Sequence, residues 1–326
     1  MSPQDDARTP RRRGRARPSP LPVRDGVDAT RVVVRHGEER TVGESLLASP
    51  SLADLTVDGL RERTAAGEVV DADGNRADLD APARANTSYY LYRDLPDEIE
   101  IPFDLPILYR DENIVVVDKP PFLATMPRGR HVAQTALVRL RRELGNDALA
   151  PAHRLDRLTS GVLLFTARPQ VRAAYQDLFA RRLARKEYRA LAPLDDALRT
   201  PATVRNRIEK TAGDLRALVV DGEVNAVSEI TLIEDVGLGH GLYRLRPHTG
   251  RTHQLRLHMA LLGVPIVDDP LYPDVRPDLA ELPDRGDFTR PLRLLAHSLE
   301  FDDPLTGEPR RFVSGRHPEQ SPARAG

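Results

Sequence analysis

Apolar positions in this chain recur at two different periods, and neither period alternates regularly with the other. Asn113-Ile114-Val115-Val116-Val117-Asp118-Lys119-Pro120 is a continuous β-branched run stopped by proline, which predicts a buried strand. Val162 to Thr166 predicts a second one, and Ser228 to Glu234 and Leu242 to Arg246 alternate as half-buried strands. Helical spacing governs Gln134 to Leu144, where Leu137, Leu140 and Leu144 share a face and Gly145 ends the run. Pro169 opens another helix with Val171, Ala174, Tyr175, Leu178 and Phe179 in one stripe. Thr252 is the expected N-cap of a helix that runs to Leu262 and closes at Gly263. Strands and helices mixed without a βαβ repeat predict an α+β fold.

The same reading divides the chain. Residues 1–24 are rich in Arg, Pro and Ser with few large apolar side chains, a composition that predicts a disordered basic tail. Residues 25–96 form a small unit: a strand at Val32-Val33-Val34, helices over Val42 to Leu47 and Thr56 to Thr64, and a strand at Glu68-Val69-Val70 leading into an Asp73-Gly74 turn. A proline-marked linker from Leu95 to Pro106 precedes a larger domain over 104–315, and residues 316–326 read as a loose polar tail.

Composition narrows the chemistry. The 326 residues contain no cysteine, which excludes disulfides, thiolate nucleophiles and Cys-ligated metal. The longest apolar stretches, such as Ala260 to Val267, are far shorter than a bilayer span, and no signal-peptide core is seen at the N-terminus, so no membrane association is expected and the cytoplasm is the expected compartment. Net charge is -1, yet residues 1–24 hold seven arginines against two aspartates, which leaves the rest acidic. Any polyanion would be held by local basic patches, of which the run from Arg168 to Arg189, read as a helix face, is the strongest. Asp71, Asp73 and Asn75 mimic a calcium loop, but Arg76 and Pro82 stand where glycine and glutamate are required, so this is a turn. His248, His253 and His258 recur every five residues, which does not put them on one helical face; no metal site is expected.

One stretch concentrates the candidate chemistry: His153-Arg154-Leu155-Asp156-Arg157-Leu158-Thr159-Ser160-Gly161, followed at once by the Val162 strand. Arginines on both sides hold the Asp156 carboxylate ionised on a polar loop, as a nucleophile or base must be at neutral pH. Taken alone, Arg-x-Asp-Arg more often marks a surface ion pair of little energetic worth.

The full string HRLDRLTSG resembles the active-site motif of the RluA family of pseudouridine synthases. Lys186-Glu187-Tyr188, the block Thr249 to His258 (TGRTHQLRLH) and the block Pro265 to Pro273 (PIVDDPLYP) extend the resemblance over roughly residues 104–313. In the last block Asp268 and Pro273 replace two glycines of the family pattern, a departure expected to affect a loop beyond the catalytic constellation. The resemblance implies a central, largely antiparallel mixed sheet flanked by helices, with the active-site loop in a cleft across it. It implies isomerisation of uridine to pseudouridine in ribosomal or transfer RNA by base flipping, with no metal, nucleotide or redox cofactor. Asp156 matches the catalytic aspartate, Tyr188 the tyrosine that stacks on the base, and Arg256 the arginine that pairs with the aspartate. Arg154 matches the residue that enters the space left by the flipped nucleotide. Arg157, Thr159, Arg251 and His253 complete the expected RNA-binding and base-binding set, Thr159 as a loop-ordering hydroxyl and His253 through structural hydrogen bonds. The segment over 25–96 is similar to the S4-like RNA-binding domains that precede such catalytic domains. A monomer with RNA as its partner is expected; the other reading from the same fold is a catalytically silent RNA-binding assembly factor.

Overall fold

In the computed structural model, which describes residues 19–35, 40–95 and 97–320, the Thr41 hydroxyl accepts from the Glu44 backbone N–H while the Glu44 carboxylate accepts from the Thr41 N–H. That capping box starts α1 (Val42–Leu47), and the Thr56 hydroxyl caps α2 (Val57–Ala65) in the same way. Both helices bury their apolar faces against a three-stranded antiparallel sheet of β1 (Thr30–Val33), β2 (Val69–Asp71) and β3 (Ser88–Leu91). The strand at Ser88, absent from the sequence reading, occupies the middle, in the order β1-β3-β2. Asp71 Oδ1 accepts from the backbone N–H groups of Asp73 and Asn75, each at 2.9 Å, which makes the calcium-like sequence a hydrogen-bonded turn. Most of the basic tail expected over 1–24 lies outside the described residues.

The chain divides after Leu95. The expected linker is instead part of the second unit: Ile101 and Phe103 are buried in its core, with Phe103 stacked on Phe122 and edge-on to Phe288. The unit is built on β4 (Ile107–Arg110), β5 (Ile114–Lys119), α3 (Ala136–Leu144), β6 (Ala150–Pro151), β7 (Ser160–Thr166), α4 (Arg172–Ala180), β8 (Arg185–Pro193), β9 (Ala202–Glu209), β10 (Leu218–Val220), β11 (Ala226–Gly237), β12 (His240–Pro247), α5 (Gln254–Leu261), β13 (Leu294–Asp302) and β14 (Pro309–Val313). Eleven of these strands form one mixed sheet in the order β10-β9-β11-β12-β8-β13-β7-β5-β4, with β14 beside β13 and β6 beside β7. Every described pairing is antiparallel except β13 on β7. The α+β class and its largely antiparallel sheet stand.

Three expectations are corrected. The basic run does not lie on one helix face: α4 stops at Ala180, and Arg185 to Pro193 is a strand between β12 and β13. The cap of α5 is His253, in a left-handed conformation at φ 56°, rather than Thr252. The C-terminal segment is tied down through Gln320. The Asp118 carboxylate accepts from the Ser314 hydroxyl and the Gly315 N–H, and Arg316 donates to the carbonyls of Asp104 and Asp118. Arg293 donates to the Gln320 carbonyl at 2.7 Å. Residues 321–326 lie outside the described residues.

Candidate active site

Asp156 sits on the turn between β6 and β7, and the backbone on either side of it is fixed by two buried side chains. The Thr125 hydroxyl accepts from the Leu155 N–H at 3.2 Å and donates to the Leu155 carbonyl at 2.9 Å. One residue past the aspartate, the Lys119 ammonium donates to the Arg157 carbonyl at 3.2 Å, and to the carbonyls of Pro120 and Leu123 at 2.8 Å each. Lys119 is fully buried, and that burial, reinforced by the charge of Arg316, pushes its pKa well down. Neither Lys119 nor Thr125 stood out in the sequence. The available signal was a lysine closing an otherwise wholly buried β-branched run, where a charge is costly unless it is bonded.

Gly161 ends the loop at φ 110°, and a Cβ there would meet the Ala296 backbone, with its carbonyl carbon and nitrogen at 2.8 Å. The glycine therefore permits the close parallel register of β7 with β13. His153 accepts from the Leu164 N–H through Nε2 and stacks on Phe179 at 4.3 Å, and burial, then the Lys186 charge, hold its pKa down to about 3, so the ring is neutral.

The Asp156 carboxylate is half-buried and accepts no hydrogen bond or ion pair among the described residues. It lines an open cleft of about 130 Å³ together with Arg154, Thr159, Tyr188, Arg251, His253 and Arg256. This volume is in the class of one nucleobase rather than a whole cofactor. Tyr188 reaches it from β8, where it registers with Leu245 on one side and Ala296 on the other. Burial, then the nearby Asp156 charge, raise the Tyr188 pKa, so its ring stays neutral. Arg157 does not join this group: its side chain lines a separate cavity with Glu98, His131 and Asp284, and only its carbonyl serves the loop.

Arg256 lines the cleft, but its direct bonds do not go to Asp156 as expected. It forms a bidentate pair with Asp269, Nε to Oδ2 at 2.8 Å and Nη2 to Oδ1 at 2.6 Å, with side-chain exposures of 3% and 0%. Burial opposes the guanidinium charge, but the bond and charge of Asp269 outweigh it and Asp156 adds to them, so the Arg256 pKa is raised. Asp269 also accepts from the N–H groups of Leu271 and Tyr272. The PIVDDPLYP block is thus part of the site, not a loop beyond it. Its Asp268, where the family pattern has glycine, keeps a left-handed φ of 59° and bonds Arg290 at 2.7 and 2.9 Å.

The TGRTHQ loop is held by Gln254, whose Oε1 accepts from the Thr249 hydroxyl and the Arg251 N–H while Nε2 donates to the Val227 carbonyl. His253 faces Tyr272 edge-on, with Nδ1 to the Tyr272 hydroxyl at 3.1 Å; burial, then the Arg256 charge, lower its pKa to about 4. The cleft opens beside a groove of about 930 Å³ that shares Arg154, Lys186, Tyr188 and Gly250 with it and carries Arg182, Arg185 and Arg246. Arg182, Arg185 and Lys186 of the basic run therefore front the groove that leads to the cleft, a polyanion's approach path.

Comparison with known proteins gives a consistent result. A family model described as RNA pseudouridylate synthase matches residues 113–261. A ribosomal large subunit pseudouridine synthase D from Xanthomonas campestris pv. campestris is 36% identical over 225 residues, covering 64% of this chain and 66% of that protein. A tRNA pseudouridine synthase C from Vibrio vulnificus is 32% identical over 221 residues, covering 62% of this chain and 86% of that protein. Among solved structures, human RNA pseudouridylate synthase domain containing 1 superposes with a TM-score of 0.50 at 24% identity, over 68% of this chain and 86% of that one, a likeness of fold.

Proposed function

From the premise that the chain belongs to the RluA family of RNA pseudouridine synthases, which isomerise uridine to pseudouridine, we propose that Asp156 is its catalytic group, acting on a uridine of ribosomal or transfer RNA. The observation that carries this is the state of Asp156: a half-buried carboxylate left free of side-chain partners while its backbone is bonded on both sides. A carboxylate so presented is preorganised for a ligand rather than spent on the fold.

A uridine in folded RNA has to leave the stack before its glycosidic bond can be reached. Tyr188 offers the extruded base an aromatic face, and Arg154 at the cleft mouth is placed to fill the gap left behind. The C1′–N1 bond breaks, the detached uracil turns, and a C1′–C5 bond forms while the C5 hydrogen is released to water and N1 gains a proton. Arg256, fixed by Asp269, supplies a permanent positive charge toward Asp156. Arg251, Thr159 and His253 frame the cleft around the base. An RNA partner of this kind fits a cytoplasmic protein working as a monomer, and the small unit over residues 25–96, read as S4-like, would add RNA affinity without chemistry.

Release of tritium from 5-[³H]uridine in transcribed ribosomal and transfer RNAs tests the proposal. The native protein releases tritium from at least one RNA class and Asp156→Asn does not. RNA binding with no release by the native protein would instead establish the silent assembly factor.

A further inference from the structure

The half-buried Lys186 on β8 forms no hydrogen bond or ion pair among the described residues. The carboxylates around it are taken: Glu187 bonds Arg246 at 3.2 Å, and Glu300 bonds Arg311 at 2.8 Å. Asp156 lines the same cleft but makes no ion pair with it. The neutral His153 and the backbone of Gly250 are its other surroundings; a Cβ on Gly250 would lie 3.9 Å from the Lys186 Nζ. An ammonium in such a place loses part of its hydration with nothing in return, and burial accordingly pushes its pKa down. Position supplies the missing term. Lys186 and Arg154 are the two cations that line both the small cleft and the large groove, so they stand at the point where one opens into the other.

A nucleotide whose base enters the cleft keeps its phosphates in the groove. The anion nearest the junction is then the phosphodiester joined to the flipped ribose. Resting on the reading of the cleft as a uridine site, we propose that Lys186 binds that phosphodiester, and that the bare Cα of Gly250 leaves room for the contact. The ammonium gains its counterion only when RNA is seated with the base out, so the contact selects the flipped state over the initial encounter.

The test uses an RNA from which the full-length native protein releases tritium, so failure of the uridine reading is seen first and separately. Binding is then measured against salt concentration for the native protein, Lys186→Gln, Lys186→Met and Lys186→Arg, with thermal unfolding to show which variants are folded. Loss of one phosphate contact lowers the slope of log K against log salt by about 0.7 to 0.9 in either neutral variant, and the arginine variant restores it. The KM for RNA rises more than kcat falls. A second RNA with a neutral methylphosphonate at the linkage beside the target uridine gives the cycle. It weakens binding by the native protein and not further by Lys186→Gln. An unchanged salt slope in both neutral variants, or additive losses in the cycle, overturns the proposal and leaves Lys186 as a charge acting on the departing uracil instead.

Discussion

The Lys119 ammonium reaches the carbonyl of Arg157, and in doing so a fully buried charge on β5 fixes the chain one residue beyond Asp156. The bond is lost in Lys119→Met, and with it the seat of the loop. A displacement of the order of 1 Å costs about 100-fold in rate when the reacting group is otherwise preorganised. The expected result is a fall of roughly that size in kcat for tritium release, with a smaller change in RNA affinity measured by filter binding.

Gly161→Ala strikes the opposite side of the same loop. Its left-handed φ and the Ala296 backbone leave no room for a methyl group. Separation of β7 from β13 is expected to cost more than about 3 kcal/mol, read as a shift in the urea midpoint or as loss of soluble protein.

Asp269→Asn leaves Arg256 buried without its counterion. Breaking one side of a buried pair costs about 3 to 5 kcal/mol, and the guanidinium is then free to turn toward Asp156. Both a lower thermal midpoint and a loss of activity at least tenfold are expected. An active, fully stable Asp269→Asn would show that the pair is dispensable.

Asp268→Gly and Asp268→Val should separate conformation from charge. Glycine accepts φ 59° freely but gives up the bond to Arg290, so the net change is expected within about 1 kcal/mol of zero. Valine both loses the bond and cannot take the left-handed conformation without strain, and is expected to be clearly less stable in the same unfolding assay.

Three histidines are held neutral by burial: His153 to about 3, and His253 and His258 each to about 4, all below the ordinary 6.5. The unfolded chain takes up protons on these rings below pH 6.5 while the folded protein does not. Their contribution is therefore complete above pH 6.5 and is lost as pH falls toward 4. The thermal midpoint should drop over that window, and His258→Gln, which removes the wholly buried ring bonded to Asn206, should flatten the drop. A midpoint that is level between pH 7 and 4.5 contradicts this.

The parts of the site that were legible in the sequence are local. HRLDRLTSG announces a polar turn feeding a strand because its residues act within a few positions of one another. The Arg256–Asp269 pair was not legible, since it joins α5 to a loop through the fold and Asp156 offered a plausible rival partner. The strand carrying Lys186 and Tyr188 was hidden for another reason. From Arg185 to Arg189 its burial does not alternate, with Arg185 exposed and Lys186 to Arg189 all half-buried, so the period of two is masked. Ser88 to Leu91 was missed as a short segment of four residues, and β13 because His297 and Ser298 interrupt its apolar pattern.

The pairing of β13 with β7 has a temporal consequence. The loop that bears Asp156 is made early, but its register depends on a strand that begins at Leu294. A nascent chain emerging from the ribosome therefore carries its carboxylate before it carries the seam that seats it. Closure across so long a sequence separation comes late in folding. Until synthesis has passed β13, the growing chain lacks the parallel seam on which the seat of Asp156 depends.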